Sequence, residues 1–392
     1  MIVLLAAVSA LGPASMQILL PALPIIKDSF SVSNDVAQLT LSLSMLAIAV
    51  GTLFYGPLSD KYGRKPVMML GLFITIVGSI LCYLADSIVF LIISRFIQAF
   101  GGAVGLVLAR AIVRDVYGAQ EAARVIATLV MVMVVVPMLS PALGGELMAR
   151  FGWQSVFIVV AVLSLIISVV LANKLPETLE EPVAFEGIGS MIGTFLELFR
   201  SKEFCGYAFC VTFISVTFFA FIAAVPEIMV SVLHRSPTEY GYYFVMVTLG
   251  FMMGTNIARY FSKSIPMNKM ISIGACIGIL GISLAIILQL LEFRQPLALF
   301  APIAFSVVGN GIALPNAQAA AINEFPKIAG SASGLTGFLQ MAFSAAAAQL
   351  VAIIYNGTVY PLLSLMLVAS VLSLICFRLG VSKKSYYLFS VR

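Results

Sequence analysis

The stretch GPLSDKYGRKP, residues 56–66, is a short polar segment between two long apolar runs. Those runs, residues 36–56 and 67–85, each come close to the roughly 20 residues that a helix needs to cross the hydrocarbon core of a bilayer. They are unbroken rather than alternating, which predicts helices and excludes the strands of a membrane barrel. The polar stretch is therefore expected to turn the chain at a membrane surface.

The composition of the whole chain indicates the same lipid environment. Of its 392 residues, 61% are hydrophobic and only 10% are charged, whereas soluble domains carry about 25% charged residues. So little charge cannot cover a surface that faces water. The net charge of +5 lies in short loops between apolar runs, so we expect a lipid bilayer and no nucleic acid as a partner.

Twelve apolar runs are predicted to cross the membrane, in two sets of six that a polar gap separates. The gap, residues 174–202, contains a short amphipathic stretch and is interpreted as a linker. The prediction is an all-α membrane protein with an N-terminal six-helix bundle (1–175), a cytoplasmic linker (176–202), a C-terminal six-helix bundle (203–380) and a cytoplasmic tail (381–392). The predicted spans are residues 2–26, 36–56, 67–85, 88–110, 123–148, 153–173, 203–228, 239–260, 267–291, 297–318, 330–354 and 359–379.

The orientation follows from the distribution of lysine and arginine, which favour cytoplasmic loops. One alternate set of loops holds four of the 22 basic residues, namely Lys27, Arg150, Arg235 and Arg294. Apart from Arg95 inside the fourth span, the rest lie in the other loops, the linker and the tail. The linker and both termini are therefore predicted to be cytoplasmic. No basic segment precedes the first apolar run, so a cleaved secretory signal is not expected.

Glycines recur at matching places in the two halves. Gly51 in the second span and Gly71 in the third reappear, 203 positions later, as Gly254 in the eighth and Gly274 in the ninth. Two halves with the same orientation and span order indicate a parallel internal repeat, an arrangement found in membrane transporters.

The glycines, the acid and the bases of residues 56–66 closely resemble the cytoplasmic signature of the major facilitator superfamily. The resemblance implies two six-helix bundles around a polar central cavity, and transport by alternating access. Gly56 and Gly63 are expected to permit a tight turn and a close approach of helices.

In that family, the loop arginine and an acid on the fourth span form a charge relay that latches the outward-open state. Asp60, Arg64 and Asp115 match those positions, and Arg114 lies beside the acid. Asp60 is also expected to accept hydrogen bonds from the N-terminus of a neighbouring helix. A solvated cluster that only sets the topology is the alternative reading of these charges.

A second family motif is resembled by Arg95, Gln98, Gly101 and Gly102 in the fourth span. An arginine well inside a span costs about 3 kcal/mol or more unless it faces the bundle interior, water or an acid. We therefore expect Arg95 to take part in transport, and a structural hydrogen-bonding role is the alternative.

The fifth span ends in a stretch that resembles the superfamily's antiporter motif. It contains Pro137, Pro141, Gly144 and Gly145, with Ser140 where the motif has a glycine. Prolines bend helices and glycines allow close packing, so the stretch is expected to act as the pivot and seal of a gate.

Four further stretches resemble the bicyclomycin and chloramphenicol resistance branch of the superfamily. They are Leu175-Pro-Glu-Thr-Leu179, the arginine-rich end of the fourth span, Pro315-Asn-Ala317, and Ala329-Gly-Ser-Ala-Ser-Gly334 before Gln340. The resemblance covers nearly the whole chain and implies proton-driven export of drug-like molecules or metabolites from the bacterial cytoplasm. It implies no bound cofactor, since the proton gradient is the driving force. We expect a monomer in the inner membrane.

The first span departs from that branch at the residue on which proton coupling usually depends. The branch has an aspartate just before a Leu-Pro-Ala-Leu-Pro run; the run is intact at residues 20–24, but the matching position is Gln17. Glutamine does not titrate, whereas proton antiport needs a group that binds a proton and the substrate in competition. Glu227 follows Pro226 late in the seventh span, where a helix break is expected, and is either the replacement or an interfacial acid. Glu146 is the other acid close to a span.

Polar side chains inside the spans are candidates for the cavity wall, because lipid penalises an unpaired polar group. Each can equally well hold helices together. The substrate or proton candidates are Gln17, Arg95, Gln98, Glu227, Asn310, Asn316 and Gln340.

Two transport hypotheses follow, and an enzyme is disfavoured. The first is proton-coupled efflux of a small drug-like molecule or metabolite. The second, which Gln17 and an Arg95 without an acidic partner favour, is an importer or facilitator of a small polar or anionic metabolite, such as a nucleoside or a carboxylate siderophore. A non-transporting membrane receptor or assembly factor that keeps the fold is a third reading, but it would be expected to lose the loop signature, whereas Asp60, Arg64 and Asp115 are intact. The chain has no phosphate-binding loop, and its single histidine, His234, argues against a hydrolase triad and a multi-histidine metal site.

Overall fold

The computed structural model is almost entirely helical, and it describes residues 1–179, 188–262, 264–325 and 328–381. Thirteen α-helices follow one another along these residues. They are α1 (Ile2–Gln17), α2 (Leu23–Ser29), α3 (Asn34–Tyr62), α4 (Arg64–Tyr83), α5 (Ile88–Phe151), α6 (Ser155–Lys174), α7 (Ile188–Arg200), α8 (Lys202–Ser231), α9 (Pro237–Phe261), α10 (Met267–Leu290), α11 (Pro296–Asn323), α12 (Ala329–Ile353) and α13 (Tyr360–Gly380).

Helical segments match all twelve predicted spans. Within the described residues, ten helices are long and apolar enough to cross a bilayer, and the second half of α5 and α9 supply the fifth and eighth segments. α7 is the amphipathic stretch of the linker. The first span is interrupted, because a 3-10 turn at Leu20–Ala22 separates α1 from α2. Pro21 and Pro24 lack the N–H groups that a continuous helix needs there.

The connection between the fourth and fifth spans differs from the prediction. All 64 residues of α5 have helical backbone, so the chain reverses between the two spans inside this segment and without a non-helical loop. Leu91 near its start and Met148 near its end nevertheless pack in one hydrophobic cluster with Ile18. A straight helix would place these two residues about 85 Å apart at 1.5 Å per residue. α5 therefore bends back on itself between them and still supplies two spans.

The turn between the second and third spans is tighter than predicted. α3 continues through Gly56 to Tyr62, and the chain reverses at Gly63 alone, whose φ of +98° would strain any side chain. A Cβ on Gly56 would lie 3.8 Å from the nearest side chain, that of Val107, which is an ordinary contact. The turn therefore requires Gly63, and the expectation that Gly56 also forms it was wrong.

The chain divides into two compact units. The first consists of Met1–Phe185 with Pro237–Gly241, and the second of Glu186–Ser236 with Tyr242–Arg392. The helix that precedes the seventh span packs into the core of the second unit through its buried Leu198.

The glycine repeat corresponds to equivalent helix contacts inside each unit. In the first unit, a Cβ on Gly51 would lie 3.2 Å from the carbonyl oxygen of Phe100. In the second unit, a Cβ on Gly254 would lie 2.1 Å from the carbonyl oxygen of Val308. The second span therefore meets the fourth as the eighth meets the tenth, with a glycine that lets the two backbones approach. The glycines recur after 203 residues and their partners after 208.

Candidate functional site

Arg64 and two carboxylates form a charged cluster at the turn between α3 and α4, called the latch below. Nη1 of Arg64 donates to Asp60 Oδ1 at 2.5 Å and to Ser59 Oγ at 2.6 Å, and Nε donates to Asp115 Oδ2 at 3.0 Å. The Arg64 side chain is only 11% exposed, so water screens these ion pairs less than on an open surface. Arg64 therefore contacts both Asp60 and Asp115, the two acids of the predicted relay. The side chain of Arg114 lies outside the part of the chain that the structure describes.

Glu177 joins the latch, which the sequence alone did not reveal. Its Oε1 accepts a hydrogen bond from the backbone N–H of Arg64 at 2.9 Å, and its Oε2 accepts one from that of Lys65 at 3.1 Å. Glu177 therefore caps the N-terminus of α4. That role was expected of Asp60, but the Asp60 carboxylate binds the Arg64 side chain instead.

The carboxyl of Glu177 is held in its charged form. Burial acts to raise its pKa, but hydrogen bonds from backbone N–H groups outweigh burial and lower that pKa. The donors are Leu179, Arg64, Lys65 and Thr178. Glu177 belongs to the stretch Leu175–Leu179, which the sequence comparison used only as a marker of the family branch. An acid directly after a span, close to a basic turn, was the available signal for this contact.

Arg95 lies inside the first unit and is only 1% exposed. Its Nη1 donates to the carbonyl oxygen of Ser15 at 3.3 Å and to Oε1 of Gln98. Gln98 in turn donates from Nε2 to Ser79 Oγ at 2.7 Å. The guanidinium carbon lies 5.9 Å from the centre of the Phe157 ring. Buried hydrogen bonds therefore link α1, α5 and α4 through Arg95, which does not face lipid.

One edge of the Arg95 guanidinium has no hydrogen-bond partner among the described residues. Nε and Nη2 are buried and unbonded, and no carboxylate in that part of the chain forms an ion pair with them. Their N–H groups point in the same direction and form the fork that binds a carboxylate through two hydrogen bonds. Oε1 of Gln17, two residues after Ser15, is also buried and unbonded. Leaving such groups unpaired costs about 1–3 kcal/mol each, so this edge suits an acceptor supplied by a ligand.

The second unit makes the equivalent helix contact without an arginine. A Cβ on Gly78 would lie 2.5 Å from the backbone N of Gln98, and a Cβ on Gly281 would lie 2.5 Å from that of Ser306. Arg95 lies three residues before Gln98, and Ile303 lies three residues before Ser306, so isoleucine takes the place of the arginine in the second unit. Packing of these spans therefore does not require an arginine. This asymmetry favours a functional role of the guanidinium over a purely structural one.

The proline and glycine stretch of α5 meets the chain just after α1 at Gly144. A Cβ on Gly144 would lie 2.1 Å from the carbonyl oxygen of Ile18, so the two backbones approach at that point. Gly145, Pro137 and Pro141 are buried in the same helix. The stretch has the close packing that a seal requires, and its movement as a pivot stays a prediction.

Three polar candidates of the second unit are engaged by protein groups. Asn310 of α11 donates from Nδ2 to Thr217 Oγ1 of α8 at 3.3 Å, and Gln340 Oε1 of α12 accepts from Gln318 Nε2 of α11 at 3.4 Å. Asn316 donates back to a carbonyl oxygen of its own helix. Asn310 and Gln340 therefore join helices, which is the structural alternative that the sequence left open.

Glu227 is the one acid that is buried among the described residues, with 8% exposure. It lies in α8, which continues through Pro226 to Ser231, so the helix break expected at this point is absent. Glu146, in contrast, has a side chain that is 45% exposed and pairs with Arg150 at 3.4 Å. A carboxylate buried within a span is a candidate proton site, and Glu227 fits this description better than Glu146.

The latch lies in the part of the chain that also matches a known family. The family model described as Major Facilitator Superfamily matches residues 5–348. The chain belongs to the major facilitator superfamily. One relative in this superfamily is an uncharacterised MFS-type transporter of Bacillus subtilis, YdgK, with 30% identity over 97% of this chain and 95% of the relative. Another is a bicyclomycin resistance protein homologue of Haemophilus influenzae, with 28% identity over 96% of this chain and 94% of the relative.

The major facilitator fold is also found in solved structures similar to this chain. A variant of the peptide transporter POT in complex with sulfate superposes with a TM-score of 0.76 at 16% identity, over 96% of this chain and 93% of that chain. At this identity the likeness concerns the fold, which consists of twelve transmembrane helices in two six-helix bundles. The protein is therefore a membrane transporter of this superfamily and not an enzyme, and the resemblance to bicyclomycin resistance proteins is confirmed.

Proposed function

We propose that this transporter works by alternating access in the bacterial inner membrane, with both termini in the cytoplasm, and exports a drug-like molecule or metabolite in exchange for protons. The latch carries the proposal. One arginine at the start of α4 holds carboxylates of α3 and α5, and such ion pairs between helix ends can break and re-form between two states of a transporter. The bicyclomycin resistance homologue supports export as the direction.

Glu227 is the proposed proton carrier. Exchange of protons for substrate requires a titratable group whose affinity for protons differs between the two states. Gln17 cannot serve, and Glu227 is the buried acid of the described spans. Its position in the second unit means that coupling would not follow the first-span route typical of the related resistance proteins.

Proteoliposomes with an internal pH dye test this function. A proton gradient is imposed, and bicyclomycin and a panel of cationic, neutral and anionic compounds are added in turn. We expect compounds of one class to dissipate the imposed pH gradient as they are transported. Glu227→Gln should abolish this coupled proton flux. Glu146→Gln is the matched control and should keep it. Wild-type transport of a compound without any proton movement would contradict the antiport mechanism.

A second candidate function is import or facilitated movement of a small anionic metabolite on the same scaffold. The observation that favours it is the unpaired edge of Arg95, beside a first span that offers Gln17 instead of a carboxylate. An aspartate there would compete with an anionic ligand for the guanidinium, whereas a glutamine leaves it available. The ligand in this case carries a carboxylate or a comparable two-oxygen anion.

Binding assays in detergent separate this candidate from the first. Thermal shifts are measured with tricarboxylates, nucleosides and lipophilic cations. Under the second function, carboxylates stabilise the wild type, and Arg95→Lys weakens their binding at least tenfold, because lysine keeps the charge but loses the fork. Stabilisation by cations alone, unchanged in Arg95→Lys, would favour the first function.

A further inference from the structure

The linker helix α7 ends where a membrane span begins. Its last residue is Arg200, and α8 starts at Lys202 after the single capping residue Ser201. α8 is long and apolar enough to cross a bilayer, and its apolar part follows Glu203 directly. At 1.5 Å per residue, the end of α7 therefore lies within about 6 Å of the hydrocarbon core.

α7 turns aside from the axis of α8 and does not prolong it into the water. Ser201, between the two helices, has extended backbone with φ −79° and ψ 118°. Leu198 is fully buried in a cluster built from α8, α11 and α12, and Phe195 packs against the same cluster. A helix that continued α8 outward would leave these contacts behind. α7 therefore lies across the end of the second unit, at the level of the membrane surface.

The side chains in the last turns of α7 point in three directions. Leu198 faces the protein core, whereas Leu196 and Phe199 are 59% and 41% exposed. These two are three residues apart and share one face of the helix. Glu197 is exposed on a third face. With about 100° per residue, Leu198 and Glu197 each lie roughly 130° from the centre of the apolar pair, on opposite sides of it. The protein core therefore covers only one of two apolar faces.

The charges in this part of the chain balance. Glu197 and Arg200 carry opposite charges, as do Lys202 and Glu203 after them. Arg200 lies between the apolar pair and Glu197, about 70° from the centre of the pair. From there its stem covers apolar surface while its guanidinium reaches the level of the head groups. An apolar face bordered by charged residues is typical of a helix that lies in the bilayer surface.

We propose that α7 lies flat in the bilayer surface, with Leu196 and Phe199 among the acyl chains of the leaflet on the predicted cytoplasmic side. Lipid is the occupant because the hydrocarbon core begins four residues after α7 ends, and apolar side chains gain free energy by leaving water. The contact is with hydrocarbon and the local charges cancel, so it requires no anionic lipid. The linker then begins at Glu177 in the latch and ends in a helix that lipid and Leu198 hold in place.

Tryptophan fluorescence in phosphatidylcholine liposomes tests the contact. Leu196→Trp, Phe199→Trp and the matched control Glu197→Trp each add a tryptophan to the buried Trp153, the only one in the chain, whose emission the wild type measures. Lipid with bromine atoms near the ester end of its acyl chains quenches a tryptophan that touches those chains. After subtraction of the wild type, we expect the loss of emission at positions 196 and 199 to be about threefold larger than at 197.

Equal quenching at the three positions would overturn the proposal, because no face of α7 would then be distinguished. Quenching of positions 196 and 199 by aqueous iodide and not by the brominated lipid would also overturn it. So would quenching that requires phosphatidylglycerol in the liposomes, since the contact would then be electrostatic.

Amide hydrogen exchange in phosphatidylcholine nanodiscs gives a second measurement without added tryptophan. The double variant Leu196→Ser and Phe199→Ser removes the exposed apolar pair and leaves Leu198 in the core, so the second unit should stay folded. Exchange of the α7 backbone should rise about tenfold, since both side chains lose their contact with lipid. Glu197→Ser is the matched control and should exchange as the wild type does. An unchanged rate in the double variant would overturn the proposal.

Discussion

Oε1 of Glu177 accepts a hydrogen bond from the backbone N–H of Arg64 at 2.9 Å, although 113 residues separate them in the chain. The side chain of the same arginine binds Asp60 and Asp115. Glu177 therefore fixes the backbone of the residue whose side chain closes the latch. The segment after the sixth span is part of the latch and does more than connect the two halves.

Replacing Glu177 by glutamine should loosen the latch. Glutamine replaces one of the two carboxylate oxygens by an NH2 donor, so either the N–H of Arg64 at Oε1 or that of Lys65 at Oε2 loses its acceptor. The loss of one such hydrogen bond corresponds to about 1 kcal/mol. We expect Glu177→Gln to raise amide hydrogen exchange at Arg64 and Lys65 about fivefold. The control is Glu197→Gln, at an exposed acid of α7; a similar rise there would mean that the effect is not local.

The contact of Glu177 should also depend on pH. Its pKa is lowered in the docked state from the ordinary value of 4.5. Docking is therefore fully favoured above about pH 4.5 and is lost as the pH falls through the lowered pKa. Amide exchange at Lys65, corrected for the intrinsic rate, should rise in the wild type between pH 5 and pH 3. Glu177→Gln should show no such transition, and a transition in that variant would assign it to another acid.

The repeat makes a prediction about stability. A Cβ on Gly78 would meet the backbone of Gln98, and a Cβ on Gly281 would meet that of Ser306, at 2.5 Å in both cases. Gly78→Ala and Gly281→Ala should each destabilise the fold by a similar amount, about 1–3 kcal/mol. Thermal unfolding in one detergent measures this. Gly337→Ala, where no described atom lies within 4 Å, should be neutral or stabilising. A large loss at only one of the two sites would contradict the repeat.

The fold could be predicted from the sequence because lipid imposes a simple rule. Apolar runs of sufficient length must be helices, and each predicted span has a helical segment. The connections were less predictable. Nothing in residues 110–123 indicates that the helical backbone of α5 continues where a loop was expected, because the hydrogen bonds of a helix do not require apolar side chains. The turn at Gly63 likewise depends on a single φ angle.

The candidate site was predictable in its residues but not in its contacts. Two family motifs identified Arg64 and Arg95, yet the cap formed by Glu177 depends on a tertiary contact that no local pattern encodes. The expected role of Asp60 as a helix cap was wrong for the same reason. The break expected at Pro226 is absent, since α8 continues to Ser231. A side chain that can accept a hydrogen bond has several partners within reach, and only the packed helices decide among them.

Gln17→Asp tests whether the free edge of Arg95 is a ligand site. The carboxylate would lie two residues after Ser15, whose carbonyl oxygen already binds the guanidinium. An ion pair would then occupy the Nε and Nη2 edge. We expect binding of any carboxylate ligand to weaken at least tenfold above about pH 5, where the aspartate is charged. Gln17→Asn is the control, because asparagine has the size of aspartate but no charge. An equal loss of ligand affinity in both variants would indicate an effect of packing and not of the carboxylate.

The role of Arg95 in transport can be tested by replacing it with the side chain that the second unit has at the equivalent position. Arg95→Ala should abolish transport while the protein stays folded, but it leaves a cavity and deprives Gln98 of its partner. The double variant Arg95→Ile and Gln98→Ser copies Ile303 and Ser306, which fill the equivalent contact in the second unit. We expect its unfolding midpoint within about 4 °C of the wild type, a shift that corresponds to about 1–2 kcal/mol, and no measurable uptake or efflux in proteoliposomes. Ser164→Ala in α6, where the hydroxyl donates to the carbonyl oxygen of Val160 in the same helix, should retain transport. Normal transport by the double variant would show that the guanidinium is not part of the site.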